Sequence, residues 1–217
     1  MYMKEGLVTF GCAAEAEYTE KKSIFIGQAA PVESVPAAEA FLLSVRERHM
    51  GARHHVFAYI IGSAVRCSDD GEPSGTAGRP MLDVILGEEI YNVAVVVTRY
   101  FGGVLLGTGG LVRAYSKAVQ EGLAASTVIL KQKGIVLQIT TDYTGIGKIQ
   151  YIAGERSLPI LDSEYTDRVV LKLLVPVQEI GSVENAITEG TNGRAQLKQD
   201  GECYYSVIDG EVQTFDH

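Results

Sequence analysis

The chain has 217 residues, 46 % apolar and 21 % charged, with 19 basic against 27 acidic side chains for a formal charge of −8. That balance fits one large or two small globular domains and excludes wholesale disorder. It also excludes a polycation that coats nucleic acid unspecifically, while leaving room for a local basic groove.

In chain order, Ser23 to Ala30 reads as a strand entered from a Glu20-Lys21-Lys22 turn. A helix is expected from Pro36 to Met50, with Ala38, Phe41, Leu42 and Val45 on one stripe, Pro36 in its first turn and Gly51 at its C-terminal cap. His55 to Ile61 is β-branched and aromatic, hence a strand. Arg66 to Pro80 reads as a loop feeding a short helix over Met81 to Leu86. Asn92 to Tyr100 is nearly all apolar, as expected of a strand buried on both faces. A second glycine loop leads into a long helix, Gly109 to Ala125, whose buried stripe is Leu111, Tyr115, Ala118, Val119 and Gly122.

The second half reads as strand Gly134–Thr141, helix Thr144–Arg156, strands Leu158–Thr166 and Arg168–Val175, helix Glu179–Glu189, and a final strand Arg194–Val207 interrupted near Gly201. That βαββαβ order is ferredoxin-like. The domain junction is expected near Leu130 to Lys133, in a short polar connection. Charge divides there as well: residues 1–132 hold 12 basic and 14 acidic side chains, residues 133–217 hold 7 and 13. The first half is therefore the better partner for an anionic polymer.

The longest apolar runs, such as Val93–Val97, fall far short of the ~18 residues of a membrane span, so no membrane partner is expected. The first residues show no signal-peptide pattern. Cys12, Cys67 and Cys203 are odd in number and lack a C-x-x-C pair; they read as reduced thiols of a cytoplasmic protein. Neither a metal nor a cofactor is expected.

Three constellations carry candidate chemistry. Asp69, Asp70 and Glu72 place three carboxylates in four residues, suited to acid–base work or a hard cation, but their spacing breaks the calcium-loop pattern. The alternative is a rigid loop whose side chains bond nearby N–H groups, with Ser74 or Thr76 capping the following helix. The second constellation runs from Arg99 to Arg113. A glycine loop opening a helix turns unpaired N–H groups and a positive dipole end toward an anion. Gly102, Gly103, Gly109 and Gly110 would shape that mouth, and Arg79, Arg99, Arg113 and Lys117 would meet phosphates. Tyr100 or Phe101 would stack on a base. Both nucleotide fingerprints fail here: Thr108 replaces the P-loop lysine, and Val112 stands where the third Rossmann glycine belongs. The third is His54-His55, adjacent on a strand and facing opposite sides, so the two cannot ligate one metal together.

The run Ser68–Pro80, together with Val95–Gly103, Leu106-Gly107 and Gly109–Tyr115, resembles the signature of the IMPACT family in its bacterial YigZ/YvyE-like branch. The motifs stand in the family's order and the likeness spans nearly the whole chain. It implies an α+β protein: a domain over residues 1–130 like the second domain of ribosomal protein S5, then a ferredoxin-like domain over residues 134–208 like those of elongation factors. Eukaryotic members regulate translation by competing for the activator of an initiation-factor kinase. The chain departs from the family at Ile24 and Leu105, where members often carry a basic residue, and at Phe57, where tryptophan is frequent.

The function expected first is that of a non-enzymatic translation regulator or accessory factor, binding RNA or the ribosome through the arginine-lined glycine cleft. The second is a hydrolase-like enzyme on a small anionic substrate, with His54 or His55 carrying the proton and Asp69, Asp70 and Glu72 as base or clamp. The third is a protein-binding module docking a partner on Val104, Leu105 and Leu106.

Overall fold

The computed structural model describes residues 7–208 and 210–215. The chain divides into two compact units, one from Leu7 to Ile129 and one from Leu130 onward.

The first unit contains β1 (Leu7–Phe10), β2 (Ala14–Glu20), β3 (Ser23–Pro31), α1 (Val35–Arg48), β4 (His54–Ile61), β5 (Ala64–Ser68), α2 (Gly78–Gly87), β6 (Val93–Tyr100) and α3 (Thr108–Ala124). Five of its strands form an antiparallel sheet in the order β2-β3-β6-β4-β5. Central β6 is buried on both faces, as its apolar run requires. Val93, Val95 and Val97 join the main core under α2 and α3; Ala94 joins a smaller core with Ala38 of α1, Tyr59 and Ile61. The α3 stripe is buried as expected, with Ala114 and Leu123 added to it.

Two boundaries around the acidic loop differ from the sequence reading, and one side chain explains the second. Arg66 to Ser68 continues the sheet as β5, and α2 begins at Gly78, three residues before the expected Met81. Asp69 Oδ1 accepts the N–H groups of Ala77 (3.0 Å) and Gly78 (2.8 Å), so a carboxylate upstream caps the helix. Neither Ser74 nor Thr76 does so: the N-cap is Ala77, and the Thr76 hydroxyl donates to the Pro73 carbonyl. Helix α1 also stops early. His49, not Gly51, is its C-cap, while Ser34 caps its start by accepting from Ala37 N.

The second unit is built from β7 (Val128–Thr141), α4 (Ile146–Glu155), β8 (Ile160–Tyr165), β9 (Val169–Pro176), a 3-10 turn (Val177–Glu179), α5 (Ile180–Gly190), β10 (Gln196–Ile208) and β11 (Glu211–Phe215). Its antiparallel sheet runs β11-β10-β7-β9-β8, so the βαββαβ strands take the 4-1-3-2 order of a ferredoxin-like fold. Leu137, Ile139, Leu171 and Leu173 pack against Ile149, Ile152, Val183 and Ile187 of the helices. The expected break near Gly201 is a bulge between Gln199 and Glu202, with Gly201 at φ +135. Two features were not expected. The polar stretch Leu130–Lys133 lies within a continuous strand rather than a linker, and β11 extends the sheet beyond β10.

Among the described residues, no helix is long and apolar enough to cross a membrane.

Candidate functional site

The acidic loop after β5 is held together by its own carboxylates. Asp69 Oδ2 accepts Gly75 N at 2.8 Å, in addition to the two bonds at the start of α2. Burial works to raise its pKa, but three N–H donors outweigh burial and hold the carboxyl below its ordinary range. Asp70 accepts from Arg46 Nη2 (2.8 Å) and from the His55 backbone N–H (2.6 Å). Both aspartates are consumed by structure. Among the described residues, no cluster of three His, Cys, Asp or Glu side chains could hold a metal ion.

The two histidines separate as strand alternation demands. His55 is buried and donates Nε2–H to the His49 carbonyl at 3.2 Å; burial lowers its pKa, so it is a neutral packed residue. His54 Nδ1 lies 2.9 Å from the Asp70 carbonyl, which only accepts. The proton must therefore sit on Nδ1, leaving the Nε2 lone pair uncommitted in the neutral ring.

Arg99 sits opposite both His54 on β4 and Phe25 on β3, and all three share one face of the sheet. Its side chain is only 7 % exposed. Nη1 donates to Glu72 Oε1 at 2.5 Å, and the guanidinium lies over the rings of Phe25 (5.4 Å) and Phe101 (5.6 Å). The Tyr115 hydroxyl, from α3, donates to the same carboxylate oxygen at 2.8 Å. Burial, reinforced by the Glu72 charge, raises the Tyr115 pKa and keeps the phenol a donor. Arg99 is thus an internal strut joining the acidic loop, the central strand and the long helix. It is not the free phosphate ligand that the sequence suggests.

A cleft of about 460 Å³ opens beside this strut, bordered by Glu72, His54, Arg53, Phe101, Leu106 and Thr108. Glu72 is 9 % exposed, and no hydrogen bond reaches its second oxygen, Oε2. Helix α3 begins here after Gly107 (φ +71), with no acidic residue in its first turn to neutralise the dipole. Gly102 and Gly103 form the loop ahead of it. Gly102 packs against the Lys22 backbone so closely that a Cβ would lie 2.0 Å from the Lys22 carbonyl carbon, and its N–H donates to Ser23 Oγ. The glycine loop is thereby fastened to the β2–β3 turn.

On the other side of the loop a groove of about 450 Å³ runs past Gly110, Arg113 and Lys117 of α3 and Lys21 of the turn. Lys117 is paired with Glu121 at 2.6 Å, and Arg79 with Asp83 at 2.8 Å on α2. Arg113 is exposed and folds over the first turn of α3, its Nη1 only 3.7 Å from where a Cβ on Gly109 would stand. Tyr100 turns to the opposite face, within 3.0 Å of His49 Nδ1, and is not a free stacking ring. Phe101 is 43 % exposed, with the Arg99 guanidinium over its ring. Val104 and Leu105 are exposed, whereas Leu106 packs on the core.

Among the described residues of this unit, four cations have no carboxylate partner: Lys21, Lys22, Arg53 and Arg113. All four border the glycine loop. The sequence reading missed three of them. The signal available was Lys21-Lys22 itself: both residues have φ above zero (45° and 68°) in the two-residue turn between Glu20 and Ser23, a conformation that Asn-Gly adopts with less strain.

Residues 21–123 match the family model of the Impact N-terminal domain, and residues 139–194 that of a domain of unknown function, DUF1949. The chain is 37 % identical to IMPACT family member YvyE of Bacillus subtilis (strain 168), over 89 % of its own length and 90 % of that protein. It is likewise 37 % identical to IMPACT family member YigZ of Escherichia coli (strain K12), over 82 % of this chain and 89 % of the relative. Protein IMPACT-B of Xenopus tropicalis is 32 % identical, over 50 % of this chain and 38 % of that protein. A solved structure described as that of a hypothetical protein superposes with a TM-score of 0.60 at 33 % identity, covering 92 % of this chain and 99 % of the other. With near-complete coverage by bacterial relatives and both domain models in order, the chain belongs to the IMPACT family.

Proposed function

We propose that this protein is a non-enzymatic, translation-associated factor that binds single-stranded RNA, on or off the ribosome, around the glycine loop of its N-terminal unit. The observation that carries the reading is the placement of Lys21, Lys22, Arg53 and Arg113. Among the described residues of this unit they are the cations that can meet phosphate without breaking an ion pair, and they flank the glycine loop: Arg53 in the cleft at the start of α3, Lys21 and Arg113 in the groove beyond it, and Lys22 with its backbone against Gly102. Two lysines held in a strained turn support the same reading, because backbone strain of this kind concentrates at binding sites. Net acidity is no obstacle, since phosphate binding follows the local field. The hydrolase reading loses Asp69 and Asp70, whose oxygens are already committed.

The test is RNA affinity as a function of salt, by fluorescence anisotropy with a single-stranded oligonucleotide and by ribosome cosedimentation. Four phosphate contacts give a slope of log affinity on log salt of about −3, at about −0.7 per contact. Arg113→Ala is expected to make that slope shallower by about 0.7. Affinity indifferent to both salt and Arg113→Ala would refute the proposal.

A further inference from the structure

We infer that the cleft beside the Arg99–Glu72 strut is a pocket for one unstacked guanine nucleotide; this deepens the RNA reading and rests on it. The cleft offers two acceptors. Glu72 lines the cleft with Oε1 engaged twice, and no donor reaches Oε2. That oxygen is open to solvent, so a ligand that brings an N–H to it takes the place of water there. The second polar group is the His54 ring. Its Nδ1 proton is taken by the Asp70 carbonyl, so the group it can offer the cleft is an acceptor, Nε2.

Two acceptors in one cleft select a partner with adjacent donors. Among the four RNA bases, only guanine presents two neighbouring donors, N1–H and the N2 amino group. Adenine and cytosine place an acceptor beside their amino group, and uracil flanks its single N–H with carbonyls. Reading an unstacked base on this edge is the usual mode of sequence-specific RNA recognition. The walls fit a flat ring: Phe101, 43 % exposed, lines the cleft, and Pro73, Leu106 and Leu111 supply apolar surface. The far end fits a phosphate. Thr108 opens α3 there with its N–H groups free of intrahelical partners, and Arg53 adds an unpaired cation. Because Arg99 neutralises Glu72, the pocket does not repel that phosphate.

The experiment titrates the full chain with GMP, IMP, AMP, CMP, UMP and inorganic phosphate, followed by calorimetry and by amide chemical shifts. GMP is expected to bind at least tenfold tighter than AMP, CMP or UMP, with the largest shifts at Phe101, Thr108 and His54. IMP, which lacks the N2 amino group, should fall between GMP and AMP. Phe101→Ala, at an exposed position, should weaken GMP about tenfold or more through lost stacking. His54→Ala should erase most of the preference for GMP over AMP. Equal affinity for all four nucleotides would overturn the proposal, as would no GMP binding by the folded wild-type chain. If RNA binds with the predicted salt slope while GMP does not, the pocket fails and the RNA reading stands. If GMP binds selectively while RNA does not, the RNA reading fails and the pocket stands.

Discussion

Replacing Glu72 with alanine tests whether the site is built on an internal strut. The change removes the acceptor from two buried donors at once, Arg99 Nη1 at 2.5 Å and the Tyr115 hydroxyl at 2.8 Å. With its side chain 7 % exposed and set between the rings of Phe25 and Phe101, Arg99 would be left largely desolvated without its partner. Breaking a buried pair by removing one partner costs about 3–5 kcal/mol. Tyr115→Phe, which deletes a single hydrogen bond to a charged group, should cost about 1.5–3 kcal/mol. Against the ~5–15 kcal/mol that holds a typical domain folded, the first figure is large. Two units need not unfold together, so the proper readout is native-state hydrogen exchange at amides of β6 and α3. Glu72→Ala should accelerate exchange there a hundredfold or more, by conversion of the 3–5 kcal/mol. The double change Glu72→Met with Arg99→Met should restore most of it, since an apolar pair of similar volume is close to neutral. If Glu72→Ala costs less than about 1 kcal/mol, Arg99 is not an internal strut and the reasoning fails.

Two further outcomes follow from the same geometry. A Cβ on Gly27 would stand 2.1 Å from the Ala118 carbonyl oxygen, where α3 crosses β3; both sides are backbone, so Gly27→Ala should cost about 3 kcal/mol, read as a lower thermal midpoint. Asp69→Ala removes the carboxylate that accepts three N–H groups, two of them at the start of α2, and should cost about 1 kcal/mol at neutral pH, as loss of a helix cap does. Because the folded pKa of Asp69 lies below the ordinary value of 3.8, its contribution is complete above that value. It is lost as pH falls through the folded pKa, so wild type and variant should converge in urea melts at the acid end. A gap that widens on acidification would contradict the assignment.

The architecture was legible in the sequence wherever periodicity carried it. The apolar run of β6, the stripe of α3 and the βαββαβ order of the second unit all follow from burial at periods of 2 and 3.6. Legibility ended where partners lie far apart in sequence. Arg99 reads as a phosphate ligand until Glu72, 27 residues earlier, and Tyr115, brought across by α3, are folded onto it. The same limit hid the cap supplied by Asp69 and with it the true start of α2. Strand β11 was missed for a different reason: at five residues it is too short to show alternation, although Asp209-Gly210 before it is a hairpin signal. Positive charge was misjudged by residue type. Arg79 and Lys117 looked as available as Arg113, yet each has a carboxylate one helical turn away, which strand and loop residues such as Lys21 and Arg53 lack.

That distinction supplies the decisive comparison. One variant combines Lys21→Ala, Arg53→Ala and Arg113→Ala, all unpaired; the other combines Arg48→Ala, Arg66→Ala and Arg79→Ala, each paired with a carboxylate in the folded chain. Both lose the same formal charge. Single-stranded RNA affinity at about 0.1 M salt should fall roughly a hundredfold in the first variant and by a few-fold at most in the second. Equal losses in the two would mean that only net charge matters, and unchanged affinity in the first would show that the glycine-loop rim does not bind RNA.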